Sequence, residues 1–76
     1  MYLLKEQLRS LRGLLYSRCS SMYEYHLCSA IIDARLCFYN VDMKFGDKYY
    51  PNIDFAKIDL DCAIDMMLEH YNITEL

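Results

Sequence analysis

The chain lacks several features that mark common protein classes. It has no tryptophan, one proline and two glycines in 76 residues, a composition that argues against a linker or a low-complexity segment. No apolar stretch approaches the length of a membrane span. Four charged residues interrupt the apolar N-terminus: Lys5, Glu6, Arg9 and Arg12. We therefore expect no signal peptide there and a cytoplasmic protein.

Motifs for catalysis and metal binding are also missing. The sequence has no glycine-rich phosphate loop, no H-E-x-x-H and no calcium-loop pattern. The cysteines are Cys19, Cys28, Cys37 and Cys62. Their spacing matches no C-x-x-C knuckle, and on a helix Cys28 lies opposite Cys19 and Cys37. We expect buried free thiols, no bound metal, no cofactor and no enzymatic activity.

What the chain does contain is typical of a small folded domain. Hydrophobic residues make up 55% and charged residues 25% of the sequence, enough for a single domain over residues 1–76 with one modest core. Domains of this size often need a partner for stability. The net charge is −3, and it is uneven, because the N-terminal part is basic and the C-terminal part is acidic.

Residues 2–17 form the clearest predicted helix, because four leucines recur at helical spacing. They are Leu4, Leu8, Leu11 and Leu15. This stripe is expected to face the core. Lys5, Arg9 and Arg12 form a separate basic row beside it. Gly13 weakens the helix, either to permit a close crossing or without a structural purpose.

A second helix is predicted from about residue 22 to residue 40. Ser21 and Glu24 have the spacing of a capping box, in which each side chain bonds the other residue's backbone N–H. The short connection favours an antiparallel helical hairpin. Because this helix is apolar nearly all round, one of its stripes should meet either residues 41–50 or, as we favour, a second copy of the chain. The residues of that homodimer interface would be Tyr25, Cys28, Ile32 and Tyr39.

The rest of the chain predicts one further helix and one ambiguous segment. Residues 41–50 alternate apolar and polar side chains, which indicates either a short β-hairpin or an ordered loop. Helical spacing resumes from at least Asp59 to about Asn72. The start of this helix is left open, because either Asp54 or Asp59 could be its N-cap, and residues 52–58 are a candidate for a separate turn. The predicted fold class is therefore mostly α: a three-helix domain made of a helical hairpin and a C-terminal helix, with the hairpin at about 41–50 left open.

The aromatic and acidic residues carry the functional prediction. Eight tyrosines exceed what so small a core can hold, and exposed tyrosine is typical of protein interfaces. We expect a non-enzymatic protein that binds a larger protein and inhibits or modulates it. The predicted partner-binding residues are Tyr25, Tyr39, Tyr49, Tyr50, Asp54, Asp61, Asp65 and Glu69. A phage or mobile-element origin is expected from size alone.

Two alternatives involve nucleic acid. The acidic row of the last helix could imitate phosphates and occupy the basic groove of a nucleic-acid-binding protein. Alternatively, Lys5, Arg9 and Arg12 could contact phosphates directly. Three basic residues on an acidic chain are too few to favour the second alternative.

Overall fold

The computed structural model describes residues 3–40 and 53–76, and these residues form three helices. Helix α1 spans Lys5–Arg18, α2 spans Met22–Asn40 and α3 spans Ile53–His70. The predicted mostly α fold, a helical hairpin followed by a C-terminal helix, is confirmed. The hairpin predicted at 41–50 lies outside the described residues. None of the described helices is long and apolar enough to cross a membrane.

Helix α2 is central and packs against both α1 and α3. Five side chains from the three helices are completely buried where they meet. They are Leu8, Leu11 and Leu15 of α1, Ile32 of α2 and Ile64 of α3. Burial of a leucine or isoleucine side chain contributes about 1.5–3 kcal/mol, so this cluster supplies the main favourable term in folding.

The first leucine of the predicted stripe is not part of the core. Leu4 is 61% exposed, and Leu3 is buried instead. Leu4 is the residue before the first turn of α1, with an extended backbone (φ −71°, ψ 159°), so the helical 100° step does not apply to it. Its backbone N–H donates to Oε1 of Gln7 at 2.8 Å, which satisfies one of the free donors at the helix start.

The start of α2 follows the predicted capping box only in part. The Glu24 backbone N–H donates to the Ser21 hydroxyl at 3.1 Å, as predicted. The Glu24 carboxylate accepts from the Ser20 hydroxyl at 2.6 Å and also from the Tyr71 hydroxyl. Glu24, in the first turn of α2, therefore connects this helix to Tyr71, in the chain that follows α3.

The structure decides the start of helix α3, which the sequence leaves open. The helix begins at Ile53, close to the earlier of the two candidate starts, so residues 53–58 continue the helix and do not form a separate turn. Phe55 and Ile58 are out of phase with the core stripe because they face outward, where they are 68% and 57% exposed. The apolar phase marks which side of a helix is buried, and it does not mark where the helix begins.

Helix α3 ends in a Schellman motif. The Ile73 N–H donates to the Leu68 carbonyl at 2.9 Å and the Asn72 N–H to the Glu69 carbonyl at 3.2 Å. Asn72 has a positive φ of 56°, which asparagine tolerates better than most residues. Ile73 and Leu68 are both buried in the core, so the motif turns the chain back onto the helices.

The predicted homodimer interface is corrected by the burial of its residues. Cys28 and Ile32 lie in the core of a single chain, and Tyr25 and Tyr39 pack against that core. A second copy therefore cannot reach the predicted face while the chain is folded in this way. The sequence shows two apolar stripes on α2 but does not indicate which one faces α1 and α3, and the choice of stripe was wrong. The homodimer itself stays a prediction, without an assigned interface.

Candidate protein-binding surface

Asp61, a predicted partner-binding residue, is occupied within the fold. The Nε atom of Arg35 donates to Oδ1 of Asp61 at 2.8 Å, and the Arg35 side chain is only 3% exposed. The Arg35 guanidinium also lies over the ring of Tyr39, 4.8 Å from its centroid. A buried cation needs a partner charge, so Asp61 joins α3 to α2 and does not form part of an open acidic row.

The other predicted acidic residues of α3 are described only in part. Asp65 is half-buried and Glu69 is exposed, one helical turn further on. Asp54 is in the first turn of α3, and its side chain is outside the described set. Tyr49 and Tyr50 also lie outside the described residues. Among the predicted residues that are described, Asp61 is paired within the fold and Glu69 remains exposed.

Tyr25 and Tyr39 contribute to the fold more than to the surface. The Tyr39 hydroxyl donates to the Leu3 carbonyl, which holds the chain before α1 against α2. The Tyr25 ring meets the Tyr16 ring edge to face, with centroids 5.3 Å apart. Both tyrosines are half-buried, so their prediction as partner-binding residues is not supported by their position.

The alternative basic face is reduced in the same way. Arg12 forms an ion pair with Asp33 of α2, while Arg9 is exposed and Lys5 is half-buried. An exposed pair of this kind stabilises little, but it neutralises one of the three positive charges. The row Lys5, Arg9 and Arg12 therefore presents less positive charge than the sequence indicates.

A polar cluster joins the start of α2 to the end of α3. Hydrogen bonds from Ser20 and then from Tyr71 lower the pKa of the Glu24 carboxyl from its ordinary 4.5. The bond to Glu24 raises the pKa of Tyr71 far above its ordinary value, and burial raises the pKa of the Cys28 thiol, whose Sγ lies 4.0 Å from the Tyr71 hydroxyl oxygen. These shifts favour the charged carboxylate of Glu24 and the neutral forms of the Tyr71 phenol and the Cys28 thiol. Groups in these forms hold the helices together, and they are poorly suited to nucleophilic or acid–base chemistry at neutral pH.

The cysteines and possible metal ligands do not form a site within the described residues. Cys28 is buried and Cys19 half-buried, but Cys37 and Cys62 are exposed, so the prediction of buried thiols is wrong for these two. Over residues 3–40 and 53–76, no three His, Cys, Asp or Glu side chains are placed to hold a metal ion.

The outer face of α3 carries the most distinctive surface feature. Phe55, Ile58, Cys62 and Met66 recur at intervals of three, four and four residues. This spacing puts them on one face of the helix, which we name the α3 outer stripe. Phe55 and Met66 are 68% and 70% exposed. The completely buried Ile64 lies on the opposite face of the same helix.

A groove between α2 and α3 extends this stripe. It has a volume of about 340 Å³, and its walls include Leu27 and Ile31 of α2 with Ala63 and Met66 of α3. Leu27 is 51% exposed. Since Met66 belongs to both features, the α3 outer stripe and this groove form one apolar surface, which we name the α2–α3 surface.

The sequence contains a signal for this surface that the partner-binding prediction did not use. Phe55 and Ile58 are large apolar residues that do not fit the core phase of their own helix. Leu27 lies on the apolar stripe of α2 that does not contain Cys28 and Ile32, and this helix is apolar on nearly every side. Apolar side chains in excess of one core-facing stripe indicate a second buried or bound face.

Comparisons with known proteins do not indicate a function, so the argument rests on the α2–α3 surface. No protein family matches the chain, and no curated protein or solved structure does so either.

Proposed function

We propose that this protein is a non-enzymatic interaction protein that binds a larger protein and inhibits or modulates it. The observation that supports the proposal is the α2–α3 surface, where Leu27, Phe55, Ile58 and Met66 are each more than half exposed. Single exposed apolar residues are ordinary on a protein surface. A contiguous group of large ones is typical of a binding site.

The exposed apolar side chains of α3 lie on a different face of the helix from those that pack in the core. Helix α3 already buries Ile64, Met67 and Leu68 against the rest of the chain, so its outer stripe is not needed to hold the helix in place. Apolar area left in water gains free energy only when a partner covers it, at about 25 cal/mol per Å². The outer stripe is therefore better explained by an intermolecular contact than by packing among residues 3–40 and 53–76.

The dimensions and residue types fit such a contact. With 18 residues, α3 is about 27 Å long. This length matches the width of a standard-size interface, which buries about 800 Å² on each partner. Phenylalanine and methionine are enriched in interface cores, and methionine adapts its shape to its partner.

The test is a capture experiment with matched variants. The tagged chain, a face variant with Phe55→Ser and Met66→Ser, and a control variant with Leu4→Ser and Tyr16→Ser are each used to capture proteins from nuclease-treated lysate of the native host. The control removes two apolar residues of similar exposure, 61% and 64%, from α1. We expect the wild-type chain and the control to retain the same protein and the face variant to lose it.

The captured protein must then respond to binding. We expect its activity, measured with purified components, to change on addition of the wild-type chain and to change much less with the face variant. Equal capture by all three chains, or an activity that does not respond, would contradict the proposed function.

A further inference from the structure

We infer that the α2–α3 surface receives a basic amphipathic helix, whose apolar stripe covers Phe55, Cys62 and Met66 while its lysines or arginines face the carboxylates beside them. This inference rests on the proposed function and specifies the chemistry of the partner. It depends on how charge is arranged around the apolar residues.

Carboxylates lie on both sides of the α3 outer stripe. With 100° per residue, Asp59 lies on the edge of the stripe toward the groove and Asp65 on the opposite edge, while Glu69 lies within the width of the stripe, about one turn beyond Met66. Asp59 and Glu69 are exposed. The single lysine in the sequence of α3, Lys57, lies about 150° around the helix from the middle of the stripe. The stripe is therefore bordered by negative charge.

This border disfavours a second copy of the chain as the occupant. In an antiparallel pair of α3 helices, each edge of the stripe meets the same edge of the other helix, so the Asp59 residues of the two chains lie along one edge of the interface. In a parallel pair, Glu69 of one chain lies near Glu69 of the other, because this residue lies within the width of the stripe. Like charges placed near one another disfavour association, whereas a helix with basic residues near Asp59 and Glu69 gains attraction.

The shape of the surface favours a helix over an extended segment. An apolar face of i, i+3, i+7 and i+11 residues beside a groove between two helices matches the binding of an amphipathic helix through its own apolar stripe. An added β-strand would need free backbone donors and acceptors, and those of α2 and α3 are used inside the helices.

The experiment uses the full chain and three synthetic peptides as long as α3. The first peptide has a leucine stripe with lysine or arginine on both flanks. The second has the same stripe with glutamate on the flanks, and the third has the composition of the first in an order that breaks the stripe. Binding is measured by fluorescence anisotropy of the labelled peptides at low and at high salt.

We expect the basic peptide to bind one chain with a Kd at least about tenfold below those of the other two peptides. Phe55→Ser with Met66→Ser should weaken binding by about tenfold or more at any salt concentration. Asp59→Asn with Glu69→Gln should weaken it at low salt and have little effect at high salt, because screening removes the same attraction. Leu4→Ser with Tyr16→Ser should leave the Kd unchanged, and circular dichroism checks that every variant folds.

Several results would overturn the inference. Equal binding of the basic and acidic peptides would show that charge does not select the partner, and the absence of binding by either would exclude a helix of this class. A dimer in sedimentation analysis that dissociates in the Phe55→Ser, Met66→Ser variant would assign the surface to a second copy. In each case a successful capture experiment would leave the proposed function standing, so the two failures are distinguishable.

Discussion

Helices α1 and α3 flank the same central helix but use their apolar residues differently. In α1 the leucines Leu8, Leu11 and Leu15 are completely buried, and the opposite side is mainly polar. In α3 the core-facing Ile64 is completely buried, but Phe55 and Met66 on the other side are among the most exposed large apolar residues described. Packing among the described helices explains the apolar stripe of α1. In α3 it explains the side that contains Ile64 and leaves the side that contains Phe55 and Met66 unexplained.

This difference shows how a binding face can be separated from a core. A helix with one apolar stripe is explained once that stripe is packed. For a helix with a second stripe on its solvent side, we propose a binding partner, and the acidic residues beside the stripe in α3 favour a partner with positive charge.

The largest expected effect contrasts the two faces of α3. Ile64→Ala removes a completely buried side chain and should lower the free energy of unfolding by about 3 kcal/mol. Met66→Ala changes an exposed side chain and should alter it by less than about 0.5 kcal/mol. Urea denaturation followed by circular dichroism measures both. If Ile64→Ala does not fold, Ile64→Val should cost about 1 kcal/mol, and a similar loss from Met66→Ala would contradict the assignment of an unpacked outer face.

The next effect separates two carboxylates that the sequence places in one row. Asp61→Ala removes a carboxylate that pairs with the buried Arg35 and should cost about 3 kcal/mol. Glu69→Ala, on the exposed side of the helix, should change the free energy of unfolding by less than about 0.5 kcal/mol. Adding Arg35→Met to Asp61→Ala should recover part of the loss, because the buried charge is then removed as well. Equal stability of the two single variants would show that the Asp61–Arg35 pair does not stabilise the fold.

A smaller effect tests the solvent side of α1. A Cβ atom added at Gly13 meets nothing within 4 Å, so the glycine permits no close crossing there. Gly13→Ala should raise the free energy of unfolding by up to about 1 kcal/mol, because alanine is the better helix former. Thermal denaturation measures the change. A thermal midpoint lower than that of the wild type would show that the added methyl group at position 13 disturbs a contact on this face of α1.

The smallest effect concerns the joint between α2 and the end of α3. Because the pKa of Glu24 is lowered in the folded chain, its contribution to stability is present above the unfolded value of 4.5 and is lost as the pH falls through the folded value. Glu24→Gln should therefore reduce the loss of stability as the pH falls below 4.5. Urea midpoints above and below that pH measure it, with the exposed Glu6→Gln as the matched control. Identical pH profiles for Glu24→Gln and the wild type would exclude this role.

Much of the fold follows from sequence pattern. The three helices, the core leucines of α1 and the Ser21 bond at the start of α2 were predictable from spacing alone. The start of α3 was not, because residues 53–58 carry no core-facing phase. The identity of the buried stripe on α2 was also not predictable, since both stripes are apolar and only the positions of α1 and α3 distinguish them.

The candidate site was predicted less well, for a related reason. Tyrosine and carboxylate counts indicated an interaction protein, but residue type does not say which side chains are used within the fold. Asp61 binds Arg35, and the hydroxyl of Tyr39 binds the Leu3 carbonyl. Phe55 and Ile58 are exposed, and their poor fit to the core phase of α3 was a signal of this surface that the prediction of partner-binding residues did not use.

The sequence by itself determined a small, mostly helical chain, because helical periodicity is a local property that backbone geometry imposes on neighbouring residues. Only the tertiary structure decided that Ile32 faces the core while Leu27 faces solvent, and that Asp61 is paired while Glu69 is exposed. These outcomes depend on how three helices rotate about their axes to bury the largest apolar area and to pair a buried charge. That is a property of the packed chain as a whole and cannot be assigned to any one segment.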